Sequence, residues 1–250
     1  MSISPYRLQR LRRVQELVDQ LQPEAPPNAL IIPGSPQPRG SVIVFPGSFN
    51  PPTIAHLALL KQADKYARQQ AVHEPMLLYA AFSKRTVDKE TVERPFLRER
   101  ILLLEEILHR RLPHAGIMLF NRGLYVEQAQ GLRHAFPRVQ RILFLMGYDK
   151  VVQIFDPHYY KDRDAALEEL FALAELLVAP RGTAREDDIA ALLQQPQNQR
   201  FAPFVHSLPF DPRYRAISST EIRQHGALHQ QDVPQEVRRF MRETRAYAST

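Results

Sequence analysis

The sequence predicts an α/β fold, a Rossmann-like doubly wound parallel sheet of about five or six strands with helices on both faces. Three observations carry this prediction. From about Ser41 onward, short apolar runs alternate with helical patterns, as in a parallel sheet covered on both sides. The first run ends in a glycine and a proline-bearing turn that leads directly into a helical pattern. The chain has 250 residues, 44% of them hydrophobic, which suits one large domain or one domain with an appendage.

Residues 7–22 read as a basic amphipathic helix, with Leu8, Leu11, Val14, Leu17, Val18 and Leu21 on one face. The proline-rich stretch QPEAPPNALIIPGSPQPRG follows and reads as a linker or a wrapped extension. Residues 1–40 are thus set apart from a main domain over 41–250, whose site should survive their removal. Within that domain, strands are expected over 42–45, 76–82, 117–120, 141–146 and 176–179, with a weaker one at 204–206. Helices are expected over 56–70, 95–111, 125–135, 165–173, 186–194, 219–224 and 235–245. Parallel sheets bind ligands beyond the carboxyl ends of their strands. The loops after the runs at 42–45 and 141–146 are therefore the places to look.

Composition narrows the chemistry. The chain has no cysteine, which excludes disulfides, cysteine-held metals and a cysteine nucleophile. No apolar run reaches the length of a membrane span, and the first 21 residues lack an apolar signal core, so a cytoplasmic location is the expectation. The formal net charge is +6, and only six of the 33 basic residues are lysine. Such a chain suits anionic partners, although a solvated arginine-rich surface explains the charge equally well. No zinc finger, RNA-binding fingerprint or aromatic-interleaved basic stripe points to nucleic acid.

Two strings carry chemistry. The first, VIVFPGSFNPPTIAHL, is neither a dinucleotide fingerprint nor a P-loop. Gly47 lets backbone approach a phosphate, and the amides of Ser48 and Phe49 can face its oxygens. Thr53 and His56 lie three residues apart, on one face of the first helical turn. A helix start offers free N–H groups and partial positive charge, so His56 can donate to a triphosphate there. The second string is AISSTEIR. Ser218 followed by Glu221 forms a capping box. Ser219 and Thr220 then offer hydroxyls and amides at a helix start, and Arg223 offers a fork of donors one turn in.

Together these strings resemble the nicotinamide/nicotinate mononucleotide adenylyltransferases, within the nucleotidyltransferase superfamily marked by a His-x-Gly-His loop. The resemblance runs from about Ser41 to Tyr247. It implies a site on Gly47, Ser48, Phe49, Thr53, His56, Ser219, Thr220 and Arg223 for ATP, with His56 and Arg223 as catalytic residues. It implies an acceptor site on Lys84, Tyr125, Gly147, Asp149, Tyr160 and Arg181. Here Gly147-Tyr148-Asp149 resembles the family's Gly-x-Asp, and Tyr125 and Tyr160 stand where relatives often carry stacking tryptophans, a residue this chain lacks. Thr53 and Ala55 replace the first histidine and the glycine of the loop signature; eukaryote-type members likewise carry threonine first and keep the last histidine.

The implied reaction is direct transfer of AMP from ATP to a pyridine mononucleotide, forming the dinucleotide and pyrophosphate. Magnesium would enter bound mainly to the ATP phosphates, with no protein ligands assigned. Many relatives are homo-oligomers. Three readings stay open beside this one. They are a related transferase with another phosphorylated acceptor, a nucleotide hydrolase, and a nucleotide-binding protein without turnover.

Overall fold

A computed structural model describes residues 5–70, 75–84, 95–225, 229–244 and 247. The sheet contains β1 (Ala29–Ile31), β2 (Gly40–Pro46), β3 (Leu77–Ser83), β4 (Gly116–Phe120), β5 (Val139–Gly147), β6 (Glu175–Ala179) and β7 (Val205–Ser207). The helices are α1 (Pro5–Gln20), α2 (Ile54–Gln70), α3 (Leu97–Arg111), α4 (Tyr125–Ala135), α5 (Tyr148–Phe155), α6 (Arg163–Leu173), α7 (Glu186–Gln194), α8 (Pro212–Arg215), α9 (Ser219–Gln224) and α10 (Gln235–Thr244). The sheet order is β1-β4-β3-β2-β5-β6-β7. Strands β2 to β7 run parallel, as the sequence predicts. The seventh strand, β1, is antiparallel to β4 at the edge, pairing Ala29 with Phe120. It escapes a pattern reading because three apolar residues inside a proline-rich stretch carry too little periodicity.

The parallel strands are apolar on both faces because each face has its own core. Ile43, Phe45, Ala80, Phe82 and Leu143 point toward α1, α2, α3 and α10. Their neighbours Val42, Val44, Tyr79, Ala81 and Phe144 point toward α4, α5 and α6. Such alternation follows from the two-residue period of a strand. Chain order reverses between β2 and β5, since β3 and β4 lie on one side and β6 and β7 on the other. That reversal opens a crevice beyond Pro46 and Gly147, the switch-point position where doubly wound sheets bind ligands.

The stretch before residue 41 is built into this architecture. Val14, Val18 and Leu21 of the amphipathic face are buried in the first core, and α1 packs on α3. Arg10 joins the two helices by an ion pair with Glu105 and donates to the carbonyl of Pro33 at 2.9 Å. Asn121, just after β4, fixes the turn that follows α1. Its amide nitrogen lies within hydrogen-bond reach of the carbonyls of Gln22 (3.0 Å), Ala25 (3.3 Å) and Pro26 (2.9 Å). Its side-chain oxygen accepts from the N–H of Asn28 at 2.8 Å. Gly131 of α4 leaves room for the same turn, because a Cβ there would lie 2.7 Å from the nitrogen of Asn28. These contacts argue against a dispensable extension.

Asn121 is 1% exposed, and its loss leaves its own buried site empty and takes the partners from the part-buried Pro26 carbonyl and Asn28 N–H. Asn121→Ala should lower unfolding free energy by about 2–4 kcal/mol and speed proteolysis ahead of residue 29. Denaturant titration with limited digestion checks both. An unchanged midpoint would show that the turn is held without Asn121.

Candidate active site

The crevice is framed by the loop that leaves β2. Phe49 lies in the left-handed region at φ 43°, a conformation that disfavours a bulky residue. Burial of its ring offsets that strain. The ring is fully buried and meets Phe45, His56 and Phe82 at centroid distances of 5.4, 5.1 and 5.2 Å. Gly47 is required beneath it, because a Cβ there would press to 3.1 Å on the Phe49 ring. The Phe49 side chain is therefore a core anchor, and only its backbone is left to face a ligand. Ser48 is exposed at the tip. Its carbonyl accepts from Arg100 of α3 at 2.9 Å. In a trans peptide the following N–H points the opposite way, so that contact turns the amide of Phe49 away from Arg100.

His56 occupies the first turn of α2, and its state is set by Thr53. The Thr53 N–H donates to His56 Nδ1 at 3.0 Å, and the Thr53 hydroxyl lies 2.9 Å from the same nitrogen. The hydroxyl oxygen also accepts the N–H of His56 at 3.2 Å, capping the helix. A nitrogen that accepts a backbone N–H carries no proton itself, so neutral His56 carries its proton on Nε2. Burial lowers the His56 pKa to about 4, with the charge of Arg181 acting in the same direction. At neutral pH the group is an uncharged Nε2–H donor. Thr53 is fully buried behind it.

The second string lies against this loop, although more than 160 residues separate them in the chain. Ser219 Oγ donates to the carbonyl of Pro51 at 2.9 Å (a sequence separation of 168). Arg223 donates to the carbonyl of Asn50 at 2.6 Å and to Thr220 Oγ1 at 3.2 Å. Tyr247 donates to Asn50 Oδ1 at 2.5 Å. Ser218 caps α9 by accepting from the Thr220 N–H. Arg223 has five N–H donors and spends two of them on these bonds, while Thr220 is exposed at the helix start.

Across the crevice, Gly147 ends β5 and Asp149 lies in the first turn of α5, a helix where the sequence predicts a loop. Arg181, just after β6, pairs with Asp149 at 3.5 Å. Both side chains pack over Gly147, where a Cβ would come within 2.6 Å of Asp149 Oδ1 and 3.1 Å of Arg181 Cδ. Tyr125 starts α4 with its ring edge-on to Phe144 at 5.2 Å. Its phenol is raised well above the ordinary range, first by burial and then by the charge of Asp149. Gly147, Asp149, Arg181, Tyr125 and His56 thus share one electrostatic neighbourhood. Lys84 is engaged elsewhere. The Lys84 ammonium donates to the carbonyl of Val18 at 2.9 Å, near the negative end of α1. Arg85 and Lys89, beside it in sequence, lie outside the described residues. Tyr160 is half-buried, and its phenol is raised by burial against the opposing charge of Arg163.

Sequence reading missed Arg100 and the part played by Asn50. Arg100 sits in an arginine-rich helix where nothing marks it from its neighbours. Asn50 is visible only as a member of the loop string. Among the described residues, no group of three or more His, Cys, Asp or Glu side chains could hold a metal ion, and no helix is long and apolar enough to cross a membrane.

Comparisons with known proteins agree with this geometry. A family model described as cytidylyltransferase-like matches residues 44–225. No curated protein matches the chain. Among solved structures, a Plasmodium falciparum nicotinic acid mononucleotide adenylyltransferase complexed with NaAD is 16% identical, with a TM-score of 0.59. It covers 84% of this chain and 98% of its own. The same enzyme complexed with APC is 14% identical at a TM-score of 0.56, with the same coverage. At these identities the likeness is one of fold.

The state of His56 predicts a pH dependence. An unfolded imidazole titrates near 6.5 and the folded one near 4. Between those values the unfolded chain binds a proton that the folded chain refuses, so stability falls as pH drops through that window and levels off below it. The His56 share of the loss between pH 7 and pH 5 is about 2 kcal/mol. It should be missing from His56→Asn when urea unfolding of the two proteins is compared at both pH values. Equal losses would place the folded imidazole near its ordinary pKa.

Proposed function

We propose, from the premise that this chain belongs to the cytidylyltransferase-like family of nucleotidyltransferases, that it transfers AMP from ATP to a pyridine mononucleotide and releases pyrophosphate. The observation that carries this reading is the joint built by Ser219 and Arg223 on the carbonyls of Pro51 and Asn50. It gathers a neutral histidine, a helix start and an arginine fork around one crevice, which is what a triphosphate needs. The pyridine acceptor is favoured by the AISSTEIR string, by Tyr125 in the field of Asp149, and by Tyr160, which the family resemblance assigns to the acceptor.

ATP would enter as its magnesium complex, the metal neutralising phosphate charge. An oxygen of the acceptor phosphate attacks the α-phosphorus in line. A new phosphorus–oxygen bond forms as the bond to the β-bridging oxygen breaks, and the electron pair leaves with pyrophosphate. No protein nucleophile or proton relay is required, so catalysis rests on positioning and charge stabilisation. His56 Nε2–H donates to the transferring phosphate. Its neutrality suits that role, because it offers a donor without a mobile proton. Arg223, Ser219 and Thr220 face the departing β- and γ-phosphates, and the amide of Phe49 adds a donor on the loop side. Thr53 positions His56. Asp149, Arg181 and Gly147 line the acceptor side, where Asp149 accepts from a ribose hydroxyl.

A panel of acceptors with ATP and magnesium, read by pyrophosphate release, tests the reading. Turnover is expected with nicotinamide mononucleotide or its nicotinate form, and none with ATP alone. Consumption of a different phosphorylated alcohol would correct the acceptor, and pyrophosphate without any acceptor would make the protein a hydrolase. In the active assay His56→Ala should cut kcat roughly 10²–10³-fold in a protein that still unfolds in one cooperative transition. Tyr160→Ala should raise KM for the acceptor more than KM for ATP. Equal rises would assign Tyr160 to packing.

A further inference from the structure

The opposite end of the sheet carries a cavity of about 580 Å³, within the range of small-molecule sites. It lies where strands begin. Arg39 precedes β2, Leu77 opens β3 and Arg138 precedes β5, and all three line it together with Pro36, Pro38 and Phe136. The catalytic loops leave the other ends of the same strands. β2 has seven residues, a span of about 20 Å, so the two sites are separate.

Two features point to a ligand. The first is charge. None of the nine lining residues is acidic. Arg39 and Arg138 stand just before the neighbouring strands β2 and β5, and the Gly40 N–H bonds to the Arg138 carbonyl at 2.8 Å. Both are exposed, and neither guanidinium is hydrogen-bonded or ion-paired to another described residue. Arg10, Arg141, Arg163 and Arg239 each have a carboxylate partner. An oxyanion bound in this lining would supply the counter-charge that no described carboxylate gives these two cations. The second feature is a preformed apolar lining. Pro36 is fixed by the buried Tyr79, whose hydroxyl donates to its carbonyl at 2.8 Å. Phe136 is fixed through its N–H to Leu132 at 2.9 Å and its carbonyl to the Val139 N–H at 3.0 Å. The backbone of both walls is thus set before a ligand arrives.

We propose that this cavity is a second binding site, for a small organic phosphate with a flat apolar body. The phosphate meets Arg39 and Arg138, and the apolar body lies on Leu77, Phe136 and the prolines.

Calorimetric titration with 1-naphthyl phosphate tests the proposal and reads binding rather than turnover, so it stands apart from the identity of the acceptor. The Arg39→Ala/Arg138→Ala double variant should bind the probe at least tenfold more weakly. Its melting temperature and its kcat/KM for ATP should match the parent, because both side chains are exposed and remote from the crevice. 1-Naphthol and inorganic phosphate, each carrying half of the ligand chemistry, should also bind at least tenfold more weakly than the ester. Equal affinity in the double variant, or an affinity for inorganic phosphate equal to that for the ester, would overturn the proposal.

Discussion

The catalytic edge depends on how the carbonyl groups of one short loop are satisfied. Residues 48–51 form neither helix nor strand, and Pro51 and Pro52 contribute no N–H, so the loop cannot pair its own polar groups. The part-buried carbonyls of Asn50 and Pro51 must still find donors, and the exposed one of Ser48 gains a donor as well. Arg100 serves Ser48, Arg223 serves Asn50, and Ser219 serves Pro51. The fully buried ring of Phe49 anchors the loop from below. Donors from α3 and α9 thus fix the end of β2, and the start of α2 follows. With the loop fixed, Thr53 lies where it can hold His56 in one tautomer, and the amide of Phe49 faces away from Arg100.

This arrangement explains what could be read from the sequence. The parallel strands β2 to β6 were legible because each is buried on both faces and is apolar throughout its centre, whereas β7, with only Val205 buried, gives a weaker signal. The motif ends were legible because their residue types are unusual together. The partnership between them was not, since Ser219 and Arg223 look like ligand donors in a string and act first on backbone carbonyls. Thr53 was read by its helical spacing to His56, and the spacing is right. Its hydroxyl, however, faces the imidazole from a fully buried position. Phe49 was read for its amide, and a string of letters gives no sign that its ring anchors the core. Strand β1 and the burial of α1 stayed hidden for a similar reason. Their energy lies in contacts with Asn121, Gly131 and α3, roughly 100 residues away in the chain.

The basic composition also acquires a different meaning. An arginine-rich chain suggests anionic partners, yet many of these arginines are internal staples. Arg10, Arg122, Arg133, Arg163 and Arg215 donate to carbonyls of distant or irregular backbone, as Arg100 and Arg223 do at the site. The planar fork of donors suits this task, because one side chain can close several acceptors at once. The guanidiniums that matter for ligands are those with few protein partners. Besides Arg223, which spends two of its five donors on protein, they would be Arg181, held to Asp149 only at 3.5 Å, and the proposed pair Arg39 and Arg138 at the far end.

The most direct test of the account is a double-mutant cycle on turnover between His56→Asn and Arg223→Lys, with folding checked by melting curves. Arg223 holds the loop that positions His56, so the two residues act as one unit. The account predicts strong non-additivity, with the double variant scarcely slower than the worse single one. Losses that simply multiply in well-folded proteins would show that the two strings work independently, and would contradict the claim that their joint builds the site.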